Sequence, residues 1–195
     1  MHNPHVRSVR LRDGSEVGVR PIEPDDKERL RDGFAAMSME SRYQRFLTPL
    51  DSMSDSMLRY LTEVDHHDHE ALVAFEPGSG RGIGVARYVR DTNDPASAEA
   101  AVTVADDWHG RGLGSALLRE IAEHARGEGI ERFTAYVLAR NEDMIDILFR
   151  LGPAKVVDRS NGTVQIAAEL PPVGLTDQLR GLLRLAAQMT KRVGP

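Results

Sequence analysis

An apolar, β-branched run, Val102-Thr103-Val104, passes through the acidic turn Ala105-Asp106-Asp107-Trp108 into a cluster of glycines, His109-Gly110-Arg111-Gly112-Leu113-Gly114-Ser115. Ala116-Leu117-Leu118-Arg119-Glu120-Ile121-Ala122 follows, so the stretch reads strand, loop, helix. No other segment constrains the chain as much. Glycines at such a junction let a ligand approach the main chain closely. A helix starting near Leu113 opens with N–H groups that have no intrahelical acceptor and with the positive end of its dipole, an arrangement suited to phosphate. The dipole alone is worth about 0.3 to 1 kcal/mol, so several N–H hydrogen bonds must supply the rest.

Spacing narrows which phosphate compound is meant. A Walker loop needs Gly-Lys-Ser/Thr, and no lysine follows Gly112 or Gly114. A dinucleotide fingerprint needs a third glycine where Leu117 stands. Without cysteine, the chain has no disulfide framework, thiolate metal site or cysteine nucleophile. A net charge of −5 argues against a nucleic-acid partner and fits a cationic substrate. Met1-His2-Asn3-Pro4-His5 lacks a signal-peptide core, and no apolar run approaches the roughly 18 residues of a membrane span, so the expectation is a cytoplasmic protein without membrane contact.

Taken in order, residues 6–11 and 16–20 alternate as strands around Asp13-Gly14. A helix is expected from the acids Asp25-Asp26 to about Met37, then helical pieces over 38–47 and 55–64. Strands are expected over 71–75, 83–90 and 98–104, and the helix from Leu113 to about Arg126 is ended by Gly127 and Gly129. A strand over 132–137 and a helix from Asn141 to Leu151 precede a hairpin of 155–159 and 163–170 around Asn161-Gly162. Pro171-Pro172 separates this unit, residues 1–170, from a tail, 171–195, in which Leu179, Leu182, Leu183, Ala186 and Met189 form an apolar stripe. That stripe predicts a tail helix able to bury itself against a second subunit.

The element order predicts an α/β (α+β) fold with a mixed sheet and helices on both faces. His109-Gly110-Arg111-Gly112-Leu113-Gly114 resembles the acyl-CoA loop of the GNAT superfamily of N-acetyltransferases, Gln/Arg-x-x-Gly-x-Gly/Ala, with His109 departing at the first position. Val19-Arg20-Pro21-Ile22, Ser41-Arg42-Tyr43-Gln44-Arg45-Phe46, Val64-Asp65 and Ala98-Glu99-Ala100-Ala101-Val102 look like the catalytic domain of bacterial Pat-type protein lysine acetyltransferases. Those relatives usually carry a CoA-ligase-like region or a cyclic-nucleotide domain, and 195 residues leave room for neither. The resemblance implies the GNAT fold, a mostly antiparallel sheet flanked by helices, with acetyl-CoA as cosubstrate and a protein lysine as acceptor. It places the pantetheine arm beside Val102, Thr103 and Val104, the pyrophosphate on Gly110 to Ser115, and Asn141 near the cofactor.

Acetylation of an amine needs a base, because a lysine ammonium with pKa near 10.4 is protonated at pH 7. Glu99 sits in an otherwise small and apolar strand, where burial would tune a carboxylate for that work, and it falls where the resemblance implies a glutamate base. Asp106, Asp107 and Glu70 are the fallback bases, and the Val104 N–H is an oxyanion donor. Asn141 could equally serve only to cap its helix. The tyrosine acid of many GNAT enzymes is replaced by Leu148, which leaves Tyr136 or water; a thiol with pKa near 8.5 departs without much help. Arg111 and Arg119 are candidates for the CoA phosphates, and Arg42, Tyr43 and Phe46 for the acceptor groove. The adjacent His and Asp residues of Asp65-His66-His67-Asp68-His69 lack the spacing of a dedicated metal site, so no metal is expected. A small-molecule amine is the alternative acceptor, and a non-catalytic acyl-CoA sensor the alternative function.

Overall fold

The computed structural model describes residues 6–171. Its sheet starts from a hairpin in which the Leu11 N–H donates to the Ser15 carbonyl at 2.8 Å while Gly14 takes φ +89°. That turn pairs β1 (Arg7–Arg10) with β2 (Glu16–Pro21). Pro24 then fixes a 3-10 turn over Pro24–Asp26 before α1 (Lys27–Ala36), so the helix expected from Asp25 is α-helical only from Lys27. Ser38 and Ser54 cap α2 (Met39–Phe46) and α3 (Asp55–Thr62), their side chains accepting from the N–H groups of Ser41 and Met57.

Three antiparallel strands follow, β3 (His69–Phe75), β4 (Gly82–Arg90) and β5 (Ser97–Val104). After α4 (Leu113–Gly127) comes β6 (Arg132–Leu138), parallel to β5. α5 (Glu142–Phe149) leads to β7 (Ala154–Ser160) and β8 (Thr163–Glu169), joined by Asn161 and Gly162 with φ of 49° and 77°, as a two-residue hairpin turn requires. The strand order is β1-β2-β3-β4-β5-β6-β8-β7. This is the expected mixed, mostly antiparallel sheet flanked by helices.

α4 lays Leu113, Leu117, Ile121 and Ala125, each 0–1% exposed, on β3, β4 and β5. β5 answers with Ala98 and Ala100, at 0% and 3%, and strand alternation turns Glu99 to the opposite face. On that second face α1 to α3 gather, tied down where Arg87 donates to the Leu61 carbonyl and Arg20 to Asp26.

Arg20 and Asp26 form a two-bond buried pair, 2.6 and 2.7 Å, with side chains 9% and 3% exposed. Burial pushes the Asp26 carboxyl up, but hydrogen bonds from Arg20, Glu23 and Arg29 outweigh it and leave it below the usual carboxylate value. The pair's stabilisation is therefore present above the unfolded pKa of about 3.9 and is lost as pH falls below it. The thermal midpoint is expected to drop as pH falls below about 4, more shallowly in Asp26→Asn than in the wild type, as calorimetry from about pH 6 down to about 2 would read.

Among the described residues no helix is long and apolar enough to cross a membrane. The expected tail helix, Thr176 to Arg192, and with it most of the 171–195 unit, lies outside them.

Candidate active site

β5 and β6 run together only briefly. They pair at Ser97↔Arg132, Ala98↔Phe133 and Glu99↔Thr134, and from Ala100 onward β5 keeps β4 as its partner but loses β6. The Ala105 N–H donates to Ile83 on β4 at 2.9 Å, so alternation aims the N–H groups of Val104 and Val102 into the gap. The gap widens into a cleft of about 1150 Å³. Glu99, Val102, Thr103 and Val104 line it along β5, the glycine loop closes one end, and Asn141, Met144 and Ile147 of α5 stand opposite.

None of the N–H groups of residues 110–115 donates to another described residue; the first to do so is Ala116, to Gly112 at 3.0 Å. Gly112 forms the N-terminal boundary of α4 with φ +93°, and Gly110 has φ +73°. Six adjacent donors at a helix N-terminus make an anion site, and the residues present fit a diphosphate. Gly114 leaves room for Val104 and Ile147, 3.6 and 3.5 Å from where a Cβ would stand.

The loop is braced from outside the cleft. The Arg111 guanidinium lies 3.9 Å over the Trp108 ring and donates to Asp13 at 2.6 Å, so the loop is locked to the β1–β2 turn. Hydrogen bonds from Ser15 and then Arg111 hold Asp13 well below the usual carboxylate range. Arg111, alone among residues 109–115, does not line the cleft, because its side chain is engaged by Asp13 and Trp108; it braces the loop in place of the expected contact with a CoA phosphate. Arg119, exposed and at the cleft wall, keeps the position expected of it. His109, which stands where the family pattern has Gln or Arg, bonds the Val104 carbonyl through Nε2 at 3.0 Å and fixes the end of β5.

Glu99 lies in the same cleft but is exposed, against the expected burial. Ala98 and Ala100 point to the α4 face, and a neighbour in sequence is not a neighbour in space on a strand. The fallback bases are all engaged. Asp106 accepts from the Ser41 hydroxyl at 2.6 Å and the Ser38 N–H at 2.9 Å, tying α2 to the turn before the loop. Asp107 pairs with Arg81 at 2.6 Å. Glu70, 4% exposed, meets His66 at 2.9 Å and His124 at 3.7 Å; burial pushes its carboxyl up, but those partners and the Ala71 N–H hold it low. The same pairing raises His124.

Leu148 is 1% exposed in the core, and α5 holds no tyrosine, so that helix offers the cleft no phenol acid. Tyr136 on β6 does, 48% exposed. Asn141 caps α5, its Oδ1 accepting from the Met144 N–H at 3.1 Å while its Nδ2 donates to the Gln44 Oε1 at 3.5 Å, and both residues line the cleft. Arg42 is structural: it donates to the carbonyls of Ala35, Met37 and Asp51. Gln44 and Arg45 border the cleft without having been singled out, although both stand in the Ser41–Phe46 motif. Among the described residues no cluster of His, Asp and Glu is arranged to hold a metal ion.

The profile of the acetyltransferase (GNAT) family matches residues 36–152. Acetyltransferase Pat of Mycolicibacterium smegmatis is 40% identical over 144 residues, 74% of this chain, and the chain spans only 43% of that protein. Acetyltransferase PA5475 of Pseudomonas aeruginosa is 34% identical over 144 residues, which are 73% of this chain and 77% of the relative. The crystal structure of the GNAT domain of S. lividans PAT superposes with a TM-score of 0.79 at 35% identity, over 87% of this chain and 100% of that one. The free amides at the head of α4 and the parting of β5 from β6 are thus features of a chain that belongs to the GNAT acetyltransferase family, is similar to Pat, and has acetyl-CoA as its family's cofactor.

Proposed function

We propose that this chain transfers an acetyl group from acetyl-CoA to a protein lysine ε-amine, with Glu99 as general base in a ternary complex. One observation carries the reading: Glu99 and the residues 110 and 112–115, whose amides are unpaired, border a single cleft. Acetyl-CoA brings an activated thioester, and the protein's residues do the rest. The amides hold the diphosphate. Glu99, reachable from solvent, accepts the ammonium proton directly or through one water, leaving a neutral nucleophile. The Val104 N–H, turned into the gap, supports negative charge as it develops on the acetyl oxygen. Tyr136, which lines the cleft, or a water would protonate the departing thiolate, and the low pKa of its thiol makes that help dispensable.

The 40% identity to Pat and the net charge of −5 favour a cationic, protein-borne acceptor. Incubation with acetyl-CoA and a panel of lysine peptides, set beside polyamines and aminoglycosides, tests this by mass spectrometry. Acetylated peptides are the expected result. Turnover of free amines alone would replace the acceptor class, and CoA binding without transfer to anything would make the chain a sensor.

Asn141 belongs to the same reading as a cofactor contact through Nδ2. Asn141→Asp keeps a good helix cap but swaps a donor for a negative charge beside an anionic ligand. The thermal midpoint should stay put while KM for acetyl-CoA rises about five- to tenfold, roughly the loss of one hydrogen bond. An unchanged KM leaves Asn141 with the cap alone.

A further inference from the structure

Behind the sheet, between its second face and α1 to α3, lies a cavity of about 860 Å³. Met37, Arg45, Phe46 and Thr103 border both this cavity and the cofactor cleft, so the two spaces meet beside Arg45. Four arginines, Arg20, Arg29, Arg45 and Arg87, and four acids, Glu23, Asp25, Asp26 and Glu28, line it. Arg20 and Arg29 share Asp26. Arg45 and Arg87 form no ion pair with any described carboxylate.

Arg87 is 6% exposed and donates to His69 Nε2 at 3.0 Å and to the Leu61 carbonyl at 3.1 Å, both neutral acceptors. Burial first, then the charge of Arg87, pushes His69 down to about 4, so the ring carries no charge of its own at pH 7. The Arg45 guanidinium lies 5.0 Å over the Phe46 ring and donates no hydrogen bond to another described residue. It feels the charge of Glu99 without pairing to it, and burial lowers it all the same. Burial, and after it the Arg45 charge, pulls Arg87 down to about 9. Arg87 is buried, Arg45 is partly buried, and Arg87 feels the like charge of Arg45 with no carboxylate paired to either, so an entering anion would relieve both the desolvation and the repulsion. The planar fork of arginine matches a carboxylate in particular.

We propose that Arg45, backed by Arg87, receives a carboxylate carried by one of the two reactants: the far end of a dicarboxylic acyl chain, or a carboxylate on the acceptor amine. The inference rests on the acyl-transfer reading above and narrows its substrate class. Both sources share one chemistry, and the acceptor's own amine stays free for Glu99.

Paired substrates test it. On the acyl side, succinyl-CoA is compared with butyryl-CoA using one lysine peptide. On the acceptor side, free lysine is compared with cadaverine, and a Glu-flanked lysine peptide with its Gln-flanked counterpart, using acetyl-CoA. The expected result is a ratio of kcat/KM of at least tenfold in favour of the carboxylate-bearing member in one of the two arms. That ratio should fall below threefold in Arg45→Gln and be largely kept in Arg45→Lys. A wild-type ratio below threefold in every pair overturns the proposal and leaves acyl transfer standing. So does an unchanged ratio in Arg45→Gln, which would tie Arg45 to Glu99 or to the fold. If no pair turns over, the function reading fails, and calorimetry with succinyl-CoA, butyryl-CoA and glutarate decides this one. Preferential binding of a carboxylate that Arg45→Gln abolishes supports it, and no such binding overturns it.

Discussion

Replacing Glu99 with glutamine is expected to lower kcat for acetyl transfer by about 10²- to 10⁴-fold, the usual range for loss of a general base. The substitution is nearly isosteric, and the side chain is exposed and forms no ion pair with the described residues, so stability should change by no more than about 0.5 kcal/mol. Affinity for acetyl-CoA should also persist, because the amides of residues 110–115 are untouched. Steady-state kinetics on a lysine peptide, with calorimetric binding of acetyl-CoA as control, separates the two quantities. A variant that retains more than a tenth of the wild-type kcat would remove Glu99 from proton transfer. The engaged carboxylates would not then be ready substitutes: Asp106 is occupied by Ser38 and Ser41, Asp107 by Arg81, and Glu70 by histidines on the α4 face. Glu142 and Asp143, in the first turn of α5 at the cleft wall, would be the next to test.

The exposure of Glu99 also shows where reading a sequence stops. Local signals were strong wherever one residue fixes the backbone: Asn161-Gly162 and Asp13-Gly14 placed two hairpins, and the glycines before Leu113 placed the start of α4. Binary pattern identifies the eight strands of the described residues to within a few positions, missing His69 and Glu70 at the start of β3 because their polarity hides a strand whose partners are in β4. Small apolar neighbours in sequence suggest burial for Glu99, yet on a strand the flanking alanines belong to the other face. The splay of β5 from β6 could not be read at all, since it is a relation between strands more than thirty positions apart in sequence. The partners of charged groups escaped for the same reason. Arg111 reaches Asp13 across 98 positions, and Asp106 reaches Ser41 across 65. Arg45 was visible only as part of a motif, and its lack of an acid partner is a fact of packing.

Substituting alanine at Gly112 and at Gly110 should give unequal results although both residues have left-handed backbones, φ +93° and +73°. A Cβ on Gly110 meets nothing within 4 Å, so Gly110→Ala faces only the conformational cost of about 1 to 2 kcal/mol. At Gly112 the added Cβ would stand 3.2 Å from the Arg12 Cβ and 3.6 Å from the Arg12 nitrogen, in the very turn that Asp13 locks to Arg111. The hairpin cannot retreat without loosening that ion pair, so the strain is relieved by moving the loop. Displacing even two of the free amides forfeits hydrogen bonds to a charged ligand, each worth about 1.5 to 3 kcal/mol. KM for acetyl-CoA is therefore expected to rise by about 100-fold or more in Gly112→Ala, and by less than about tenfold in Gly110→Ala. Acceptor KM should hardly move in either. Equal effects at the two glycines would mean that backbone strain alone is felt and that the contact with Arg12 does not set the position of the amides.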